Sequence, residues 1–282
     1  METSTCGHGL WPDFSHIRLS YVVPVYFDDA DSTSLESLLR TYATYSGDLL
    51  DRVQFVVIDD ASPIPVEIPP DIEINLLLLR INDDIPWNQP GARNLGVVYS
   101  RSDKVLITDL DHEIPENTLH YVLQMRNPGR TMYKIRRLDE KNNPIRPHPN
   151  TFVLSRARFL RYYGYDEDFC GHYGFDDSIF RRWQRNHGTR FRYLPACCHT
   201  RRRPMSKIGG HSLVRDLTHN RELAKKKKEI WKEYGPEAGH SRRFLNFSWR
   251  IVEDRRRANA PLPERKHRLW TKTWWWRWLR GG

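Results

Sequence analysis

VLITDLDHEIP, Val105 to Pro115, runs apolar for three residues and then sets two aspartates one residue apart. Asp109 and Asp111 end what reads as a buried strand. Two chemistries fit them. Aspartate is a common turn former, so a lone Asp-x-Asp is most often a turn. Paired carboxylates at a strand end also make half of a site for a hard divalent cation. Side chains alternate across a strand, so residues i and i+2 face the same way. The spacing therefore predicts that both carboxylates reach one ion while Leu110 points back to the core. His112 and Glu113 read as ordinary surface residues.

The flanking sequence decides between the two. Ile17 to Tyr26 reads as a first strand, and Ser32 to Tyr45 as a helix with Leu35, Leu38 and Leu39 at helical spacing and Ser32 or Ser34 as its cap. Val53 to Ile58 and Ile72 to Arg80 are further strands. Between them lies a proline-rich linker. Gly91 to Ser100 suits a helix that starts at Gly91, and Lys104 to Thr108 is the fourth strand. Strands alternate with helices, and their apolar runs are nearly continuous, as when both faces are covered. This predicts an α/β fold with a mainly parallel, doubly wound sheet. Beyond it, Thr131 to Arg137, Thr151 to Leu154 and Arg190 to Ala196 read as strands. Ser155 to Tyr163, Asp176 to Asn186 (with Gly188 just past its end) and Leu217 to Tyr234 read as helices.

Three strands of this reading end in acids: Asp28 and Asp29, Asp59 and Asp60, Asp109 and Asp111. Ligands of open parallel sheets bind at the carboxyl ends of the strands. Three acidic ends on one edge repel one another unless positive charge sits between them. A divalent cation with a phosphorylated ligand meets that need.

The chain has 282 residues and a net charge of +10. Residues 201–282 hold 23 Lys/Arg against 8 Asp/Glu, and residues 1–200 hold 22 against 27, so the basicity belongs to the C-terminal part. An anionic membrane, a nucleic acid or an acidic polymer would suit it. Four cysteines, two of them adjacent and none spaced as Cys-x-x-Cys, do not form a disulfide framework and point to a reducing, cytoplasmic setting. No run of 18 apolar residues suggests a membrane span, and the first residues do not read as a secretory signal.

YVVPVYFDD, VVIDDASP, PGARNLGVVYS and LITDLDHEIP, followed by GYDEDFCGHYGFDDSIFRRW, resemble in order and spacing the family 2-like glycosyltransferases of the GT-A fold. The last segment resembles the Trp-Gly-x-Glu-Asp acceptor motif of the galactosyltransferase and chondroitin-polymerase type. The resemblance covers residues 18 to 205. It implies a metal-dependent transfer of sugar from a nucleoside diphosphate, with uridine expected on family precedent, to a hydroxyl of a glycan or lipid-linked acceptor. Pro24, Val25 and Tyr26 would lie in the nucleotide site, and Asp59 or Asp60 would accept from the base or ribose. Arg93 would contact a donor phosphate or pair with Asp109. Asp109 and Asp111 would hold Mn²⁺ or Mg²⁺, completed by His199 of HTRRRP. Asp177 would be the general base, with Asp176, Tyr173 and Gly174 around the acceptor. Asp176 and Asp177 also suit a helix N-terminus without any catalysis. The segment departs from the motif at Tyr173, where Trp is usual, and at Asp176, where Glu is usual.

The resulting layout is an N-terminal tail (1–17), a GT-A domain (18–215), a basic helical extension (216–260) and a Trp/Arg-rich tail (261–282). In the extension, Lys225 to Lys228 read as a solvated helix face. The tail, with WWWRW at its centre, suits a membrane surface, a dimer contact, a strand on the domain or a disordered end. Two other functions fit the charge: sugar transfer to a modified base in DNA, and a non-catalytic module that tethers to membrane or polyanion. No recognisable nucleic-acid motif supports the first. The retained acids and His199 argue against the second.

Overall fold

The computed structural model describes residues 14–28, 33–203 and 213–257. Strand β1 (Leu19–Val25) is followed by helices α1 (Thr33–Ala43) and α2 (Gly47–Leu50), strands β2 (Val53–Asp59) and β3 (Asn75–Ile81), helix α3 (Gln89–Val98) and strand β4 (Lys104–Ile107). Short strand β5 (His112–Glu113) leads into α4 (Glu116–Gln124). Strands β6 (Thr131–Lys134), β7 (Arg136–Leu138), β8 (Pro144–Ile145) and β9 (Phe152–Ser155) come next, then α5 (Arg156–Arg161) and a 3-10 turn at Glu167–Phe169. The order closes with α6 (Asp176–Asn186), β10 (Arg190–Tyr193), β11 (His199–Arg202), α7 (Thr218–Tyr234) and β12 (Trp249–Arg255).

The main sheet runs β10-β6-β9-β4-β1-β2-β3-β12. Its centre, β4-β1-β2-β3, is parallel; β9 and β12 flank that centre antiparallel. Every residue of β1 and β2 is buried, which explains their unbroken apolar runs. Alternation splits those residues between two cores. Tyr21, Val23 and Val25 pack with Leu35, Leu38, Leu39 and Tyr42 of α1, and Val22 packs with Ala92 and Leu95 of α3 on the other face. At Gly96 a Cβ would lie 2.5 Å from Val22 Cγ1 and 2.6 Å from Ile58 Cδ1, so the glycine lets α3 press onto the sheet. A second sheet, β5-β11-β7-β8, stands beside the first.

Several boundaries differ from the sequence reading. Helix α3 starts at Gln89 and not at Gly91, because Pro90 fits the first turn, where its missing N–H is not needed. The expected strand Thr131–Arg137 breaks at buried Ile135: Lys134 pairs with Phe152 in the main sheet, while Arg136 pairs with His199 in the small one. His112 is not a surface residue; it is fully buried in β5. Lys227 is not solvated either, since α7 turns it inward onto Asp166 and Asp168 at 2.7 and 2.8 Å. Residues 216–260 hold α7 and then β12, which joins the edge of the main sheet. Helix α7 packs Trp231 against Trp183 of α6. Among the described residues no helix is long and apolar enough to cross a membrane. The 261–282 tail, Asp29 and the Ser32 cap lie outside the described residues.

Candidate active site

Strands β1, β2 and β4 end side by side. Val25 aligns with Asp59, and Thr108 donates its N–H to Val22 O at 3.1 Å. The acids that follow are thereby gathered at one edge. The pair after β2 divides its labour. Asp59 accepts from the N–H groups of Ser62 (2.9 Å) and Val66 (3.4 Å) and pairs with Arg80 of β3, so its oxygens hold the turn together. Asp60 accepts only from Asn88 Nδ2, at 2.9 Å, among the described residues. Burial pushes its pKa up to about 7, against the pull of Asn88. Of the two, Asp60 is the carboxylate with capacity to accept a ligand donor. Tyr26, just past Pro24 and Val25 of β1, is half-buried, and its phenol is raised by burial and by Asp84, Asp28 and Asp60.

Arg93 of α3 sits at the centre of the edge with none of its side chain exposed. It donates to Asp109 Oδ1 at 2.7 Å, to Asp176 Oδ2 at 3.2 Å and to Gln89 Oε1 at 3.2 Å. One guanidinium fork thus ties the end of β4 to the start of α6. Burial raises the Asp109 pKa, but the Arg93 and His148 charges outweigh it and hold the carboxyl at about 2. Burial wins at Asp176, whose pKa lies above its ordinary value despite Arg93.

The two aspartates of Asp109-Leu110-Asp111 do not share a strand face. Strand β4 stops at Ile107 and residues 110–111 form a turn, so the alternation argument fails there. Each carboxylate has its own partners. Asp109 faces Arg93 and His148 Nδ1, the latter at 3.4 Å. Asp111 faces His112 Nδ1 at 2.5 Å and Arg137 at 3.6 Å, with 35% of its side chain exposed. Burial raises the Asp111 pKa and the His112 contact more than reverses it. The His112 and His148 rings lie 4.6 Å apart, and His112 Nε2 has no hydrogen-bond partner among the described residues.

The structure does not bring His199 to this cluster. Its N–H and C=O exchange hydrogen bonds with Thr118 Oγ1, both at 3.1 Å, and it pairs with Arg136. The residue of that segment beside Asp111 is Arg203, whose N–H donates to Asp111 O at 2.9 Å. Four residues of extended chain separate the two, roughly 13 Å. Among the described residues no group of three or more His, Cys, Asp or Glu side chains forms a metal cage. Small divalent cations need none when a substrate's phosphates supply the remaining oxygens. Asp111, with its exposed carboxylate, fits that mode.

At the start of α6, Asp177 has 23% of its side chain exposed and pairs with Arg181 one helical turn on, at 3.2 Å. The loop before it is held in an unusual shape. Phe175 adopts φ +67° and Gly174 φ +89°, a backbone that suits glycine. Asn220 of α7 fixes that loop, its Nδ2 lying 2.8 Å from His172 O, 2.9 Å from Gly174 O and 3.1 Å from Phe169 O. Tyr173 packs on Trp87 with ring centroids 4.5 Å apart. A cavity of about 310 Å³ is lined by Asp177 and Arg181 of α6 together with Arg137, Arg146 and His148. The edge therefore joins Arg93, Asp109 and Asp176 directly, and Asp111 and Asp177 through neighbours that line one cavity.

Sequence reasoning missed His148, Arg137, Asn88 and Asn220. His148 stands in RPHPN, where prolines on both sides stiffen the loop; that bracket was the available signal. The other three carried none.

No protein-family model matches the chain, and no curated protein matches it. Solved structures do. Residues 1–349 of S. aureus TarS in complex with UDP-GlcNAc superpose with a TM-score of 0.59 at 15% identity, over 76% of this chain and 67% of that one. The UDP complex of the same fragment gives 0.52 at 14%, over 76% and 66%. The longer S. aureus TarS chain gives 0.51 at 16%, and this chain covers 40% of its length. At these identities the likeness is one of fold: a mixed α/β architecture with a largely parallel central sheet, shared with GT-A-type glycosyltransferases.

Proposed function

We propose that the chain is an inverting glycosyltransferase of the family 2 type that transfers a sugar from a nucleoside diphosphate, UDP in the first instance, to a hydroxyl of a glycan or lipid-linked acceptor. The observation that carries this reading is the Arg93 fork, which locks the donor-side Asp109 to the acceptor-side Asp176 one residue from Asp177. The TarS fragment was solved with UDP-GlcNAc and with UDP, which supports the choice of donor.

In this mechanism the nucleotide lies across the ends of β1 and β2. Pro24, Val25 and Tyr26 form its floor, and Asp60 accepts an N–H or O–H of base or ribose. Asp111, with Asp109 behind it, would hold Mn²⁺ or Mg²⁺, which neutralises charge on the diphosphate when bound. Arg93 keeps Asp109 ionised and fixes the start of α6. Tyr173, Gly174 and Asp176 shape the acceptor side. The acceptor hydroxyl attacks the anomeric carbon in line with the departing diphosphate, and Asp177 takes its proton, a step worth about 10²–10⁴-fold. A single displacement inverts the anomeric centre.

The test is a donor screen with the full chain. UDP- and GDP-sugars are incubated with Mn²⁺, and hydrolysis and transfer are followed by NMR of the anomeric proton. Turnover with inversion is expected, lost in Asp177→Asn and in Asp111→Ala. Hydrolysis unchanged in Asp111→Ala would remove the metal assignment; retention of configuration would remove the single displacement.

A further inference from the structure

The cavity beside Asp177 is lined by three guanidinium groups, Arg137, Arg146 and Arg181, against one carboxylate. Arg137 faces Asp111 and Arg181 faces Asp177. Arg146 is exposed and has no carboxylate partner among the described residues. More cations crowd the same wall. Burial first, and then the charges of Arg181, Arg185 and Arg146, lower the Lys134 pKa, in keeping with Arg146 and Arg181 lining one cavity. Arg202 adds its charge next to Arg137. Three guanidinium groups against one carboxylate make the cavity positive on balance, which favours an anion. Asp111 answers Arg137 and Asp177 answers Arg181, which leaves Arg146 without a carboxylate among the described residues and the cavity with an excess of positive charge. Paired guanidinium forks are suited to the planar or tetrahedral oxygens of a carboxylate or phosphate.

We propose that the acceptor carries an oxyanion, phosphate or carboxylate, close to the hydroxyl that receives the sugar, and that Arg146 and Arg181 hold it beside Asp177. The inference rests on the glycosyltransferase reading above and names the acceptor class of that site. Neutral sugars leave the cavity's charge unmatched and bind poorly. Arg181 then serves both the anion and Asp177, which orients the acceptor so that its hydroxyl faces the carboxylate.

Isothermal titration of the full chain, loaded with Mn²⁺ and saturating UDP, tests it with three probes: glucose 6-phosphate, glucuronate and methyl glucoside. At least one acidic sugar is expected to bind about tenfold more tightly than methyl glucoside, the worth of roughly one charge-assisted hydrogen bond. The tighter of the two acids identifies the oxyanion. Arg146→Gln alone, an exposed change that spares the fold, should remove about threefold of the preference, and Arg146→Gln with Arg181→Gln the rest. Equal binding of all three sugars overturns the proposal. So does an acidic sugar that binds the Mn²⁺-loaded chain without UDP and fails to bind once UDP is present, because the cavity then belongs to the donor. Failure to bind UDP or GDP is seen in the loading step; it defeats the donor reading and the acceptor inference with it.

Discussion

Arg93→Met tests the site where it is most exposed to error. The substitution keeps the volume of a side chain that is wholly buried and removes the one charge facing Asp109 and Asp176. Asp109 lies at about 2 against an ordinary 3.8. A shift of that size corresponds to about 2 kcal/mol, and it is the net that remains after Arg93, then His148, overcome the opposing effect of burial. The hydrogen bond to Asp176 contributes about 1.5–3 kcal/mol as a bond to a charged group. Together they predict a loss of about 4 kcal/mol, within the range of about 3–5 for stranding a buried charge. Urea unfolding monitored by tryptophan fluorescence, with an unchanged slope, reads this directly. The melting temperature should fall by about 8–16 °C for a domain of this size. The pH profile adds a second reading. A depressed carboxyl contributes stability that is full above about pH 4 and is lost as pH falls toward 2. Arg93→Met should flatten that loss. Adding Asp109→Asn and Asp176→Asn should recover most of the stability, since no charge is then stranded. A loss under about 1 kcal/mol, or no recovery in the triple variant, would refute the hub.

Asp60 gives the opposite sign. Its folded pKa of about 7 exceeds its ordinary 3.8, so its contribution to stability is full below about pH 4 and declines as pH rises toward 7. Asp60→Asn should therefore be more stable than the parent at pH 8, by about 1–3 kcal/mol in urea unfolding, while binding UDP more weakly in calorimetry. Gly174→Ala places a Cβ 2.5 Å from Leu217 Cδ2 at φ +89°; it should raise the acceptor KM several-fold, roughly the effect of 1 kcal/mol of strain, with donor affinity unmoved. Asn220→Ala should speed amide exchange at residues 171–175 and cost about 1–3 kcal/mol, since three carbonyls lose their donor. Lys227→Met should cost about 3 kcal/mol or more, and Lys226→Met, on the exposed face, within about 0.5, by thermal unfolding.

The parallel core was legible because burial on both faces forces β1 and β2 to be apolar at every position. Strand β12 was not. WRIVEDR lies on an edge with Ile251 and Val252 half in solvent, so its charges hide its pairing with β3, as edge strands commonly do. Asp59 and Asp60 were legible as a pair, but their roles were not: Arg80, which claims Asp59, comes from the next strand over. Asp109 and Asp111 were placed correctly at the end of β4 and given the wrong local geometry, because nothing in LITDLDHE says that the strand stops at Ile107. The same turn buries His112. Lys227 differs from its neighbours only by the phase of α7, and that phase is set by Trp231 packing on α6. His148 reaches Asp109 across a loop with no periodicity to read.

Strand β12 also sets a direction for the chain. It enters beside Ile81, at the end of the sheet where the acids gather, and leaves beside Leu76 with Arg257 donating to Asn75 Oδ1. Seven residues of strand carry it roughly 20 Å away from the edge where the acids gather. Strand β12 thus spans the sheet from its acid-bearing edge to the far one, and sets Arg257 away from Asp60.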